Sequence, residues 1–499
     1  MNEWLLLLLL ALGLFLFIGV ADRLRISLNW PGEFTRKLVH IATGVLVFFT
    51  PYLFTSPLPL IVLSLFFILV NSLALHLETF RGMHDTSRPT LGTVFYPLSF
   101  LVLVVFFWNG YQAVLQIAML ILAIADAVAA MVGEAIPSPH RYRLSSDTKS
   151  VEGSLAMFLC SFLITAAGLR WLPHAQVFQL SGTAILGTAA VTALFATLLE
   201  GVSWNGSDNL TAPLGAAFVL HFFLTQPESA LAGFVGAVLL AAAIALLSYR
   251  IGFLNSSGAA GTFLMGSLIF GVGQWQWGIP ILAFFLSSSV LSKMWKHKKR
   301  DAQLIYEKTS RRDLGQVLAN GGMASLAILF YYATGYPQWY IAYLGALAAV
   351  TADTWATEIG ILSRKPPRKI ITLQPVPPGT SGAVSAAGLW GALGGSAFLA
   401  GTGYLSGHLF FLSSPLKTLS LVTAAGFIAS LFDSLLGATV QAQYRCPICH
   451  KQTERRRHCN NAATIHIEGF RWVTNDAVNA ACALAGFGMA VAGYHLFLM

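Results

Sequence analysis

Apolar residues in this chain are gathered into long blocks, with short polar stretches between them, rather than alternating or recurring every three to four positions. A hydrocarbon core about 30 Å thick takes around 20 apolar residues per helix. On that measure the blocks predict about sixteen membrane-spanning helices. Their centres fall near Phe15, Val45, Phe66, Leu101, Ala123, Leu163, Thr192, Ala217, Leu239, Leu268, Leu286, Leu326, Ala349, Gly391, Phe427 and Met489. The fold class expected is all-α, a polytopic integral membrane protein. The first block, Leu5 to Val20, follows Glu3 and precedes Arg23 and Arg25, the reverse of a secretory leader, so a retained span is expected there.

Composition agrees with the pattern. Of 499 residues 56% are apolar and 10% charged, against about 25% charged in soluble domains. The net charge of +9 would suggest nucleic acid in a soluble chain. In a membrane chain Lys and Arg collect in cytoplasmic loops. Alternating the loops between two sides leaves only Arg170 and Lys417 apart from the other basic residues, and only Glu3 and Glu228 apart from the other acidic ones. The charged side is therefore expected to be cytoplasmic, with both termini outside, chemistry on the cytoplasmic face, and no nucleic-acid partner.

Carboxylates sit inside or at the end of several apolar blocks: Asp126, Glu200, Asp353 with Glu358 after it, and Asp433. An intramembrane carboxylate costs at least about 2.5–3.5 kcal/mol, so it normally lines a cavity, binds a cation or relays protons. These residues follow an order that occurs twice. Asp126 precedes Gly133 by the interval at which Asp353 precedes Gly360. A small-residue loop then opens a helix, Lys149-Ser150-Val151-Glu152-Gly153 in one half and Pro378-Gly379-Thr380-Ser381-Gly382 in the other. A second carboxylate ends a later helix (Glu200, Asp433), and an acidic amide-rich turn follows, Asp208-Asn209 and Asn475-Asp476-Ala477-Val478-Asn479. Two related or convergent catalytic bundles in tandem are expected.

Such loops present backbone N–H groups and a helix dipole to phosphate. Mg²⁺ between Asp126 and Asp208, or between Asp353 and Asp433, would turn carboxylate repulsion into a clamp. Lys149 and Arg368 could neutralise a transferring phosphoryl group. Arg36 and Lys37 share a helical face with His40 and are candidates for phosphate, as Lys293, Gln316 and Asn320 are for nucleotide. No P-loop or protein-kinase signature is present. Separately, Cys446, Cys449 and Cys459 offer thiols for a structural Zn²⁺, with His450 or His466 as candidates for the fourth ligand, since adjacent His458 and Cys459 rarely ligate together; a reduced, metal-free loop is the alternative reading.

Five blocks in the first half resemble the CTP-dependent phytol and dolichol kinase family: RKLVHIATG (Arg36 to Gly44), LGTVFYPL (Leu91 to Leu98), ADAVAAMVG (Ala125 to Gly133), KSVEGS (Lys149 to Ser154) and GSDNLTAPL (Gly206 to Leu214). Glu134 stands where that family usually has a basic residue. The second half resembles the membrane family containing phytyl-phosphate kinase, in GTFLMGSL, SKMWKHKK, RRDLGQVLANGG, TADTWATEIG, PVPPGTSGAVS, DSLLGATVQ and NDAVN. The resemblance implies domains at 1–225 and 226–499. The first would phosphorylate an isoprenoid alcohol such as phytol, and the second its monophosphate, with CTP or another nucleoside triphosphate and Mg²⁺. Catalytic residues would be Asp126, Lys149, Glu200, Asp208, Asp353, Asp433 and Asp476, and phosphate or nucleotide contacts Ser150, Gly153, Gly379, Thr380, Ser381, Gly382 and Asn479. The diphosphate would serve phytol salvage into tocopherol, quinone or chlorophyll. Two other classes share these features: an isoprenoid-phosphate transporter or flippase, and a cytidylyltransferase making a CDP-lipid.

Overall fold

The computed structural model describes residues 2–30, 32–76, 91–294, 311–411 and 414–498. Every one of the sixteen predicted centres lies in a helix. Ten helices among the described residues are long and apolar enough to cross a membrane. That is fewer than the expected number of spans. Gly92–Phe107 has only 16 residues, and Gln338–Gly360, although 23 residues long, carries Asp353 and Glu358. The chain forms two compact units, Met1–Val235 and Gly236–Met499.

The first unit contains α1 (Glu3–Leu28), α2 (Gly32–Leu53), α3 (Leu58–His76), α4 (Gly92–Phe107), α5 (Gln112–Leu120), α6 (Asp126–Ala135), α7 (Val151–Trp171), α8 (Gly182–Val202) and α9 (Asp208–Thr225). Its centre is α5, where Ala113 to Met119 are completely buried. The buried amide of Gln116 is satisfied by the Phe48 carbonyl at 3.0 Å and by His174 Nδ1 at 3.0 Å, as a polar group away from water requires. Between α5 and α6 the backbone widens into a π-turn, Ile121–Ala125, with the Asp126 N–H bonded to the Ile121 carbonyl. The Leu122 carbonyl meets His40 Nε2 at 2.9 Å. Single π-turns of this kind concentrate at functional sites, and Asp126 is the next residue. On α1, Leu8, Leu12 and Leu16 remain more than half exposed, as suits side chains facing lipid.

The second unit contains most of α10 (Ser229–Arg250), then α11 (Ser256–Lys293), α12 (Leu314–Thr334), α13 (Gln338–Gly360), α14 (Ala386–Ser406), α15 (Pro415–Thr439) and α16 (Asn475–Phe497). A straight helix of 38 residues would hold its ends about 57 Å apart. Instead the Lys293 ammonium donates to the Ile251 carbonyl at 2.6 Å, and the rings of Phe253 and Phe285 lie 6.2 Å apart. The helix therefore doubles back at Gln274, which has φ 54° and ψ −153°, and its two arms hold the separate centres expected at Leu268 and Leu286. The core helix is α13, with Tyr340 to Ala352 no more than 2% exposed. Gly345 and Gly486 let the α13 and α16 backbones approach closely, the small-residue packing typical within membranes. The Tyr340 hydroxyl lies 3.0 Å from the carbonyls of both Gln276 and Gly403, which share its one proton.

Candidate functional site

Both units build the same knot after their core helix. In the first, β1 (Arg141–Tyr142) pairs antiparallel with β2 (Lys149–Ser150), and Ser150 Oγ caps α7 by accepting the Gly153 N–H at 3.1 Å. A Cβ on Gly133 would come within 2.7 Å of Ser150 Oγ, and one on Gly153 within 2.8 Å of the Ala129 carbonyl, so both positions need glycine for closeness. In the second unit β3 (Arg368–Lys369) pairs with β4 (Ala383–Val384). Ser385 Oγ accepts the Gly388 N–H at 3.1 Å, and Gly360 and Gly388 lie against each other and Ser385.

In the first unit the knot delivers Lys149 to the carboxylates. Its ammonium pairs with Glu200 and, at 3.2 Å, with Asp208. Asp126, Glu200 and Asp208 each present an oxygen within 4.8 Å of the others. Burial works against the Lys149 charge, but Glu200, Asp208 and Asp126 outweigh it and hold the ammonium well above the ordinary lysine range. Asp208 is aimed by a tight turn in which Asn205 and Gly206 take left-handed backbone, φ 54° and 82°. Asp147 Oδ2 accepts the Asn205 N–H at 2.9 Å and Leu91 N–H donates to the Asn205 carbonyl at 3.1 Å. Asp147, absent from the residues expected from sequence, thus braces the site.

Asp126, Asp147 and Asp208 reach the polar end of a cavity of about 420 Å³, whereas Lys149 and Glu200 are not among its walls. Arg36, Lys37, His40, Asp126, Asp208 and Asn209 line that end, and apolar side chains of α1 to α4, among them Phe15, Val47, Leu63 and Phe100, line the remainder. From Arg36 to Thr50 the wall runs fourteen residues along α2, about 21 Å of helix rise. Lys37 also pairs with Glu134 at 2.8 Å. Ser150 and Gly153 belong to the knot and are not among the cavity walls.

The second unit has a cavity of about 630 Å³. Asp353 and Asp433 both line it. Asp433 Oδ2 is buried without a hydrogen-bond partner, and among the described residues no basic side chain pairs with either carboxyl. Gly379, Thr380, Ser381 and Gly382 form one wall, Gln316, Asn320 and Arg312 another, and Asn475 and Asn479 a third. Gly382, at φ 70°, packs on α15 where a side chain would collide with the Ser434 carbonyl and Ala438. Several expected residues point elsewhere. Lys293 lies over the Phe253 ring at 4.0 Å and bonds to Ile251, while its neighbour Ser292 faces the cavity. Lys296 to Arg300 fall outside the described residues. Arg368 donates to the Leu373 carbonyl at 2.7 Å, and Asp476 is not among the cavity walls although Asn475 and Asn479 are. Glu454 and Arg455, which no sequence pattern marked, are.

Beyond α15, three short strands β5 (Gln443–Arg445), β6 (Gln452–Thr453) and β9 (Ile465–Glu468) form a sheet, with β7 (Arg457–His458) and β8 (Ala462–Ala463) as a hairpin beside it. Cys446, Cys449, Cys459 and His458 converge there. The expected fourth member, His450 or His466, is replaced by His458. The backbone at Cys459 has φ 33°, and this left-handed bend turns the neighbouring pair His458-Cys459 toward one point.

The integral membrane family DUF92 matches residues 239–487. Protein PGR of Arabidopsis thaliana is 31% identical over 295 residues, 55% of this chain and 99% of that protein. An uncharacterized membrane protein of Methanocaldococcus jannaschii is 34% identical over 46% of this chain and 88% of its own length. The phytol kinase of Synechocystis sp. is 35% identical over 196 residues, 39% of this chain and 81% of that protein. No solved structure matches. The chain belongs to a phytol kinase-related family of multi-pass integral membrane proteins.

Proposed function

We propose that the protein phosphorylates an isoprenoid alcohol of the phytol class in its first unit and the resulting monophosphate in its second, with CTP as donor, on the cytoplasmic face. The observation that carries the first step is the cavity whose charged end, at Asp126 and Asp208, continues into an apolar channel along α1 to α4, with Lys149 paired to Asp208 behind that wall. A long hydrocarbon tail would lie in that channel, its hydroxyl beside Asp126, which would accept the proton as phosphate is transferred. Lys149 would neutralise charge gathering on the phosphoryl group, while Arg36 and Lys37 would meet the nucleotide phosphates.

Magnesium suits both donor sets. Asp126, Glu200 and Asp208 offer an all-oxygen group, and Asp433 Oδ2 is a buried acceptor without a partner; Mg²⁺ is usually held by one or two carboxylates plus substrate phosphates. A bound magnesium would offset phosphate charge at either site. Support for the second step is the cavity lined by Gly379 to Gly382, Gln316 and Asn320 beside Asp353 and Asp433, a polar surface for phosphates. A monophosphate acceptor needs no base.

The test is to incubate the purified protein in lipid vesicles with phytol, Mg²⁺ and labelled CTP. Phytyl monophosphate followed by diphosphate, with CDP released, is expected. Release of pyrophosphate would indicate a cytidylyltransferase instead, and unmodified phytol would end the proposal.

A further inference from the structure

We infer that Cys446, Cys449, His458 and Cys459 bind a zinc ion, and that this ion pins the loop holding Glu454 and Arg455 against the second cavity. The four donor atoms lie within 4.8 Å of one another. His458 Nδ1 is 3.5 Å from Cys449 Sγ and 3.2 Å from Cys459 Sγ. Around a tetrahedral zinc with Zn–S of about 2.3 Å and Zn–N of about 2.0–2.1 Å, neighbouring donors are spaced roughly 3.5–3.8 Å apart. The geometry is thus close to that of a loaded Cys₃His site.

Further features converge on this reading. Cys446 and His458 are buried at 0% and 8% exposure. Cys459, Asn460 and Asn461 take left-handed backbone in succession, φ 33°, 54° and 65°, a conformation that asparagine adopts readily and cysteine does not. Three thiolates with one imidazole match a structural zinc set and leave no open position for catalysis. A disulfide would use two of the three sulfurs and leave His458 without a purpose.

The consequence for the second cavity follows from connectivity. Between Cys449 and His458 the chain passes through Thr453, Glu454 and Arg455. Ser381 of the small-residue wall donates to Glu454 Oε1 at 2.5 Å, and Thr464 Oγ1 donates to the Arg455 carbonyl at 2.7 Å. A metal at both ends of this segment would hold Glu454 and Arg455 in the wall. The zinc site stands apart from the kinase proposal; only the wall's relevance to substrate rests on it.

The test uses the full chain purified in detergent from zinc-supplemented medium. Metal analysis should find zinc equimolar with protein, lost in Cys446→Ser and His458→Ala and retained in His450→Ala and His466→Ala. Should a variant fail to fold, the wild type still decides: iodoacetamide should modify Cys446, Cys449 and Cys459 only after a chelator is added, while Cys160 reacts equally in both conditions. Trypsin should cut at Arg455 to Arg457 faster after chelation. Wild type without zinc, even after reduction and incubation with Zn²⁺, or equal zinc loss in His466→Ala and His458→Ala, would overturn the site. Unchanged trypsin cleavage with zinc removed would overturn the pinning alone. None of these readouts depends on phosphoryl transfer.

Discussion

The two units solve the same backbone problem identically and then diverge by one residue. In each, a glycine on the core helix, Gly133 or Gly360, closes on a serine cap and a glycine three residues after it, Ser150 with Gly153 and Ser385 with Gly388. Immediately before the serine stands Lys149 in the first unit and Val384 in the second. Lys149 pairs with two of the three carboxylates grouped at its site. Asp353 and Asp433 have no basic partner among the described residues, and Asp433 keeps an oxygen without a hydrogen-bond partner. The first site is thus partly neutralised by its own lysine, whereas among the described residues the second has no such lysine at its carboxylates.

The largest effects should come from removing one carboxylate at a time. Asp126→Asn is expected to lower alcohol phosphorylation about a thousandfold or more while leaving conversion of supplied phytyl monophosphate intact, and Asp433→Asn the reverse. Separate assays with the two acceptors check this. Loss of both steps from either change would break the division between units.

Next comes Lys149→Met, which leaves Glu200 and Asp208 facing each other in a largely buried setting. Stability should fall by about 3–5 kcal/mol, read from thermal unfolding of the detergent-purified protein, and Lys149→Met with Glu200→Gln should recover part of it. The pH dependence has a fixed sign. Lys149 titrates higher in the folded chain than in the unfolded one, so its stabilisation is complete below the unfolded value of about 10.4 and fades only as pH rises through the folded one. Unfolding between pH 6 and 9 should therefore show no loss from this group. No counterpart exists at Val384, where Val384→Ala should cost about 1 kcal/mol.

Much of this contrast could be read from the chain. Carboxylates that interrupt apolar blocks are costly enough to announce themselves, and the interval from Asp126 to Gly133, repeated from Asp353 to Gly360, pointed to one local architecture used twice. Other features had no such signal. A leucine facing lipid and a leucine facing a tail-sized cavity are chemically alike, so the channel along α1 to α4 was invisible. The reversal at Gln274 occurs at a residue that is neither glycine nor proline. Adjacent residues rarely ligate one ion, so sequence spacing argues against His458, and the left-handed bend at Cys459 that brings it in has no sequence signal. Asp476 shows the reverse failure: its type suited a site, but at the start of α16 its neighbours Asn475 and Asn479 are the residues that line the cavity.

A third, smaller effect would sharpen what the channel does. Thr50 is buried at its far end, and Thr50→Trp should fill that end. The KM for a C20 alcohol should rise about tenfold while a C10 alcohol is unaffected, and the second step should not change. Equal losses for both alcohols would mean that the tail does not use this channel.

The smallest effect concerns Glu134, which stands where the related kinases usually carry a basic residue and which pairs with Lys37 at 2.8 Å. Glu134 is 62% exposed as a side chain, so Glu134→Gln should alter stability by no more than about 1 kcal/mol. Its effect on the site should be of the opposite kind. With its partner gone, the Lys37 ammonium at the cavity's polar end is available to nucleotide phosphate, and the KM for CTP in the first step should fall a few-fold, more at low salt than at high because the attraction is screened. Lys37 and Glu134 both belong to the first unit, so the KM of the second step should stay fixed and serves as the internal control. A rise in KM for the first step would instead mean that Glu134 holds Lys37 in its working position, and that the ion pair has taken over the role of the missing basic residue.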